Sequence, residues 1–210
     1  MKKAVIEQQI LGMVSTNVWF LKNKETGEIL IIDPADQADR IERKIQMMEG
    51  KPVAVLLTHG HFDHIMAVGE LQKKWNLPVY AMEKERAVLE SPQKNLSGSW
   101  INRPCTLKAD CWLKDGEEIN LAGFRIRVLY TPGHTEGSCC YYLEEEGVLF
   151  SGDTLFCGSV GRTDMPTSSG RDMQQSIARI MKEIPEETRV CPGHNEETTI
   201  AYEKRYNPFA

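Results

Sequence analysis

The order of elements along this chain predicts an α/β fold, a four-layer αββα sandwich in which two sheets pack face to face with helices outside. Three observations carry the prediction. Both halves of the chain run strands first and then a strand–loop–helix unit. Several strands end in a turn that presents a histidine or an aspartate. All five histidines, at 59, 61, 64, 134 and 194, lie in or beside such turns.

Taken in order, Lys3 to Ile10 is rich in β-formers and Asn17 to Leu21 follows it as a second strand. The stretch Lys24-Glu25-Thr26-Gly27-Glu28 reads as a hairpin turn into Ile29-Leu30-Ile31-Ile32, and Asp33-Pro34 ends that strand. Ile41, Ile45 and Met48 share one face of a helix spanning 35–48. Val53 to Leu57 is a continuous apolar run, as expected of a strand buried on both faces. Helical spacing continues from His64 to Trp75, a strand follows at 78–81, and a further helix covers 83–89. Residues 91–104 are turn-rich and polar, with Trp100 and Ile101 as anchors, and suit a loop lying over a site or a connection between halves. Beyond it, strands are expected at 118–121, 124–130, 138–143, 148–151 and 189–191, with a helix at 172–184. The whole chain, 1–210, thus reads as one domain of two similar halves joining near 91–110.

Composition narrows the function. With 41% hydrophobic and 26% charged residues, the chain has the profile of an ordinary globular protein. A net charge of −5 argues against nucleic acid as a partner. No apolar run is long enough to span a bilayer, and Glu7, Gln8 and Gln9 break the stretch that a signal peptide would need, so a cytoplasmic location is expected. The six cysteines show no C-x-x-C pair and read as reduced, mostly buried thiols. The partner left by these exclusions is a small molecule.

The chemistry concentrates in four segments. Thr58-His59-Gly60-His61-Phe62-Asp63-His64 begins where the strand 53–57 ends. His134 follows the strand 124–130 through Thr131-Pro132-Gly133, Asp153 follows 148–151 through Gly152, and His194 follows 189–191 through Pro192-Gly193. Groups placed just past strand ends converge on one edge of the sheets, where ligands bind in α/β folds. Glycine and proline before each group make tight turns that aim the side chain. Five histidines with Asp63 and Asp153 give seven candidate ligands, whereas one tetrahedral ion takes three or four, so two metal ions are expected. Ions about 3.5–4 Å apart are an established hydrolytic arrangement. A water shared by them has its pKa lowered to about 7, which makes hydroxide available to attack a carbonyl at neutral pH. Every histidine is used as a ligand in this reading, so none remains to activate Cys157, Cys191 or a serine as nucleophile.

The segments His59-Gly60-His61-Phe62-Asp63-His64, Thr131-Pro132-Gly133-His134-Thr135, Ser151-Gly152-Asp153-Thr154-Leu155-Phe156 and Cys191-Pro192-Gly193-His194 together resemble the motif set of the metallo-β-lactamase superfamily. The pattern is most similar to its glyoxalase II-like, or hydroxyacylglutathione hydrolase-like, branch. The resemblance implies that His59, His61 and His134 hold one metal and that Asp63, His64 and His194 hold the other. Asp153 would bridge both. It implies divalent ions, with zinc favoured and iron or manganese as alternatives. Asp63 and Asp153 are the catalytic candidates, Asp63 either as a ligand or as a general base. Asp33, in Ile31-Ile32-Asp33-Pro34, is expected to support a ligand from behind.

Substrate choice is expected to rest on Phe156 to Asp164. The resemblance places Arg162 at a basic position that clamps a substrate carboxylate, but Asp164 stands where the branch has a tyrosine. An ion pair of Arg162 with Asp164 or Asp172 is the competing expectation. The chain reads as a short form, without the C-terminal helical region that completes the glutathione site of full-length glyoxalase II. The expected reaction is metal-dependent cleavage of a thioester such as an S-acylglutathione. Gly161-Arg162-Thr163-Asp164 also resembles persulfide dioxygenases, which hold one iron with two His and one Asp, and a lactone or other ester hydrolase of the same fold is a further alternative. Class B1 β-lactamases, with a Cys in the second site, and flavodiiron proteins, with Glu where His61 stands, match less well.

Overall fold

The structure is a computed structural model that describes residues 2–210. The first sheet is built from β1 (Ala4–Leu11), β2 (Thr16–Asn23), β3 (Glu28–Ile32), β4 (Lys51–Leu56), β5 (Val79–Met82) and β6 (Cys111–Leu113), adjacent in that order. β1 to β3 form an antiparallel meander, and β3 to β6 are parallel. The connections between the parallel strands carry α1 (Ala38–Met47), α2 (Phe62–Ile65), α3 (Val68–Trp75) and, after a 3-10 turn at Glu83–Glu85, α4 (Arg86–Leu89).

The second sheet comprises β7 (Glu118–Leu121), β8 (Phe124–Tyr130), β9 (Cys139–Leu143) and β10 (Val148–Gly152), and then β13 (Arg189–Pro192) and β14 (Thr198–Thr199). Between β10 and β13 lie a small hairpin, β11 (Leu155–Phe156) with β12 (Ser159–Val160), and the long helix α5 (Gly170–Glu183). The helix α6 (Ile200–Tyr206) follows β14. Only the β10–β13 pair is parallel in this sheet, because α5 carries the chain across.

Alternation along the strands explains the layering. In β3, Leu30 and Ile32 point to the interior between the sheets, where they join Trp19, Phe124, Ile126, Val128, Tyr141 and Phe150. Ile29 and Ile31 point the other way and pack with Ile41 and Ile45 of α1 and Val68 and Leu71 of α3. On the far side, Leu129, Cys140, Tyr142 and Leu149 pack with Met173, Ile177 and Ile180 of α5. Three apolar seams separate four layers, so the metallo-β-lactamase-type αββα arrangement is present. Among the described residues no helix is long and apolar enough to cross a membrane.

Of the boundaries that differ from the sequence reading, three have a plain physical cause. The chain leaves the first sheet only after Leu113, so the halves meet at residues 114–117 and not at 91–110. The three-residue strand β6 is too short to show periodicity, and its partner β5 lies far back in sequence. The helical stretch after His64 is two helices, since the Ala67 N–H turns away to the carbonyl of Pro34. The first helix begins at Ala38 and not Ala35, because Gln37 adopts a left-handed φ of 57°.

Candidate metal centre

The seven candidate ligands follow strand ends, five in the turns or loops themselves and two in the short helix after β4. His59 and His61 lie in the loop after β4, while Asp63 and His64 are in the first turn of α2. His134 follows β8, Asp153 follows β10 directly, and His194 follows β13. One strand of the first sheet and three of the second therefore place the groups at a common edge.

Their donor atoms meet there. His59, His61 and His134 form one cluster, and Asp63, His64 and His194 another, each with one ligand atom per residue within 4.8 Å of the others. His61 Nδ1 is 2.9 Å from His134 Nε2. Asp153 reaches both clusters, with Oδ2 3.4 Å from His134 Nε2 and 3.5 Å from His194 Nε2, and Oδ1 3.5 Å from His64 Nε2. Asp63 Oδ2 lies 3.3 Å from His194 Nε2 and 3.4 Å from His64 Nε2.

Whether a cation fits is decided by atoms that lack partners. His59 Nε2, His61 Nε2, His64 Nε2 and Asp153 Oδ1 are buried and make no hydrogen bond. A single unpaired buried polar atom is costly, and several in one cluster need a common occupant. Other ring nitrogens are held from behind. His64 Nδ1 donates to Asp33 Oδ2 at 3.0 Å, and His134 Nδ1 donates to the Arg162 carbonyl at 2.9 Å, which turns each Nε2 toward the centre. His59 Nδ1 lies 3.2 Å from Thr58 Oγ1. Nitrogen and carboxylate donors in this number suit divalent transition metals.

Electrostatics point the same way. Burial would raise the Asp63 pKa, yet His64 and His194 hold it at about 2. Asp153 is likewise held well below the carboxylate range by His194 and His64 despite its burial. Burial would lower His64 and His194, but the facing aspartates lift them to about 9 and about 11. Burial and the neighbouring His134 push His61 down to about 3, and His59 and His134 are also lowered, chiefly by burial. The two carboxylates thus draw positive charge inward, while burial keeps His59, His61 and His134 neutral, the state in which imidazole ligates.

Two glycines permit this convergence. Gly152 has φ +49°, and a Cβ there would lie 2.2 Å from Thr58 Oγ1. A Cβ on Gly193 would lie 2.1 Å from Asp153 Oδ1 and 2.8 Å from His64 Cε1. Asp33 is buried with φ 50°, and its carboxylate accepts from Thr58 N at 2.8 Å and Thr58 Oγ1 at 2.6 Å as well as from His64.

Arg162 lies at the wall of the adjoining cavity, but its guanidinium is engaged by Asp164, with Nε–Oδ1 at 2.7 Å and Nη2–Oδ2 at 2.8 Å. The cysteines are all unpaired thiols, and burial pushes Cys139, Cys140 and Cys191 above the usual thiol range, so these three are not poised as nucleophiles.

Sequence reasoning missed three supporting residues. Thr16 Oγ1 donates to Asp63 Oδ2 at 2.8 Å, and Asn17 Nδ2 donates to the carbonyls of Pro192 and Asn195, which holds the His194 turn against β2. Glu85, 1% exposed, accepts from Gly60 N at 2.7 Å and from Thr135 Oγ1 at 2.8 Å, so it ties the His59–His61 loop to the His134 loop. A polar Thr-Asn pair just before the apolar run Val18–Leu21 was a visible signal for the first two. Glu85 had none, since its partners are 25 and 50 residues away.

The family model of the metallo-beta-lactamase superfamily matches residues 11–194. The chain belongs to this superfamily. Among superfamily proteins, the probable metallo-hydrolase YqgX of Bacillus subtilis is 36% identical over 95% of this chain and 94% of its own. The hydroxyacylglutathione hydrolase GloC of Haemophilus influenzae is 33% identical over 85% of both chains. Of solved structures, BLEG-1 B3 metallo-beta-lactamase superposes with a TM-score of 0.92 at 40% identity, covering 98% of this chain and 99% of that one. TTHA1623 in a di-iron-bound form gives 0.85 at 34% identity, covering 97% and 100%. These likenesses, with the His/Asp clusters, support a metal-dependent hydrolase.

Proposed function

We propose that the protein is a binuclear metallohydrolase of glyoxalase II type that cleaves a thioester or a related ester. In this reading His59, His61 and His134 hold one ion, Asp63, His64 and His194 hold the other, and Asp153 lies between them. The observation that carries it is the reach of Asp153, whose two oxygens face the Nε2 atoms of His134 in one cluster and of His64 and His194 in the other. A complete second cluster favours two ions over the single iron of a dioxygenase. The name of GloC supports a thioester, and the di-iron form of TTHA1623 keeps iron beside zinc as the occupant.

When bound, divalent ions would supply Lewis acidity toward a carbonyl and lower the pKa of water. The rest falls to the chain. Asp33 and the Arg162 carbonyl fix the rings of His64 and His134, and Thr16 turns Asp63 inward. Phe62, Trp100 and Phe156 border the cavity through which a substrate arrives and limit the water around it. Asp63, anchored by Thr16, serves as a ligand and not as a free base in this scheme.

The test combines metal analysis with paired assays. Protein loaded with zinc, iron or manganese should hold two ions per chain and hydrolyse thioesters without consuming oxygen. S-Lactoylglutathione, a lactone, a β-lactam and glutathione persulfide with oxygen uptake form the panel, the β-lactam being included because of the likeness to BLEG-1. One iron per chain with oxygen uptake would overturn the proposal. Asp153→Ala should lose both metals and all hydrolysis, and a variant that keeps two tightly held ions would refute the bridging role.

A further inference from the structure

A cavity of about 350 Å³ opens in front of the centre. That is toward the small end of ligand sites, which run roughly 300–1,000 Å³. Apart from the candidate ligands its walls are mostly apolar, and include Phe62, Leu96, Trp100, Phe156, Val160 and Met165. Trp100 comes from the 91–104 loop, with its ring 6.5 Å from that of Phe62. Apart from the histidines, Arg162 is the one cationic side chain among these lining residues. Its Nε–Nη2 edge is held by both oxygens of Asp164, and its guanidinium lies 5.5 Å over the Trp100 ring.

The geometry points to a cavity made for an apolar, uncharged thioester or ester, in which Asp164 holds one edge of Arg162, offsets its charge and competes with substrate carboxylates for it. This narrows the hydrolase reading and rests on it. The Arg162–Asp164 pair is exposed and contributes little to stability. Its effect on selectivity is different in kind. A substrate carboxylate that approaches the guanidinium meets the Asp164 charge beside it, and can take the Nε–Nη2 edge only by displacing one carboxylate with another. The displaced group is tethered two residues away, so it competes at high effective concentration. The exchange leaves an anionic substrate with almost no advantage, and the freed Asp164 charge then faces it. An apolar group, by contrast, removes from water the side chain of Trp100, a residue 52% exposed, along with its own surface. Stacking of the guanidinium on the opposite partner, the indole, keeps that wall in place.

The experiment uses the metal-loaded protein and two substrates with one acyl group, S-butyryl-N-acetylcysteamine, which is uncharged, and S-butyrylglutathione, which carries two carboxylates. We expect kcat/KM to favour the uncharged ester by about ten-fold or more, the scale of one lost charged contact. Asp164→Asn should move the ratio about ten-fold toward the glutathione ester by freeing the fork. Adding Arg162→Ala to it should abolish that gain. A wild-type preference for the glutathione ester, or a ratio unmoved by Asp164→Asn, would overturn the inference. Binding separates this outcome from a failure of the hydrolase reading. The uncleavable thioethers S-hexyl-N-acetylcysteamine and S-hexylglutathione are titrated by tryptophan fluorescence, with Trp100→Phe to assign the signal. Tighter binding of the uncharged thioether with no turnover of either ester sinks the hydrolase and keeps the selectivity. Turnover with tighter binding of the glutathione thioether does the reverse.

Discussion

Replacing Glu85 by glutamine should flatten the pH dependence of stability between about pH 5 and pH 8, and the size of the effect follows from burial. The carboxyl is 1% exposed and has no cation beside it among its hydrogen-bond partners. Burial therefore raises its pKa from 4.5 to about 7, against the opposing pull of the Thr135 hydroxyl and the Gly60 N–H. The unfolded chain releases this proton near the ordinary value. The native state keeps it until about pH 7, so over that window the native state binds more protons and stability falls as pH rises. At about 1.4 kcal/mol per pKa unit, the full penalty above pH 7 is about 3 kcal/mol, of which about 2–3 kcal/mol develops between pH 5 and pH 8. Glutamine mimics the protonated form and keeps an acceptor for Gly60. The Gly137 N–H, which also bonds the carboxylate, would face an amide NH₂, so the absolute stability of the variant can fall. The pH slope is what discriminates. Urea unfolding is followed by tryptophan fluorescence at a series of pH values, with both proteins at equal metal loading. Contributions from the ligand histidines then cancel in the difference between variant and parent. The gap between them should widen in favour of glutamine by about 2–3 kcal/mol across the window. Parallel profiles would show that Glu85 is ionised throughout and refute the argument.

Two further substitutions test the scaffold of the centre. Asp33→Ala removes the acceptor behind His64 Nδ1, and should weaken metal retention about 10–100-fold in chelator competition while the fold persists by circular dichroism. Unchanged retention would leave Asp33 with a role in the Thr58 turn only. Gly193→Ala puts a methyl group where Asp153 Oδ1 now lies, so metal content measured after gel filtration should drop. Two ions per chain in that variant would mean that the His194 turn is freer to move than its contacts with Asn17 imply.

Legibility in the sequence followed the range of the interactions. β8 spans Phe124–Tyr130, as read, because alternation and the Ala122-Gly123 turn are local signals. The ligand turns were equally legible, since glycine and proline next to each histidine state the geometry within three residues. β6 was not, because a three-residue strand is defined by pairing with β5, some thirty residues earlier. The same holds for the residues that steady the centre. Asn17 bonds to carbonyls about 175 residues away, and Glu85 is buried without any neighbour in sequence that explains it.

The cavity shows the same limit in the sharpest form. Phe62, the Leu96–Trp100 turn, Phe156 and Met165 come from separate segments, and no spacing rule connects these four. The Arg162–Asp164 pair is an exception, being two residues apart and so visible as an option in the sequence. What the structure added there is a choice between partners, because Arg162 lines the cavity and yet pairs its Nε–Nη2 edge with both oxygens of Asp164. A metal centre needs a fixed set of donors at fixed distances, which short turns encode. A binding wall needs only apolar surface of the right extent, and many residue combinations provide it. The chemistry of the centre is for this reason written in motifs, while substrate preference is carried by a loop, a hairpin and one ion pair that changes could retune without touching a ligand.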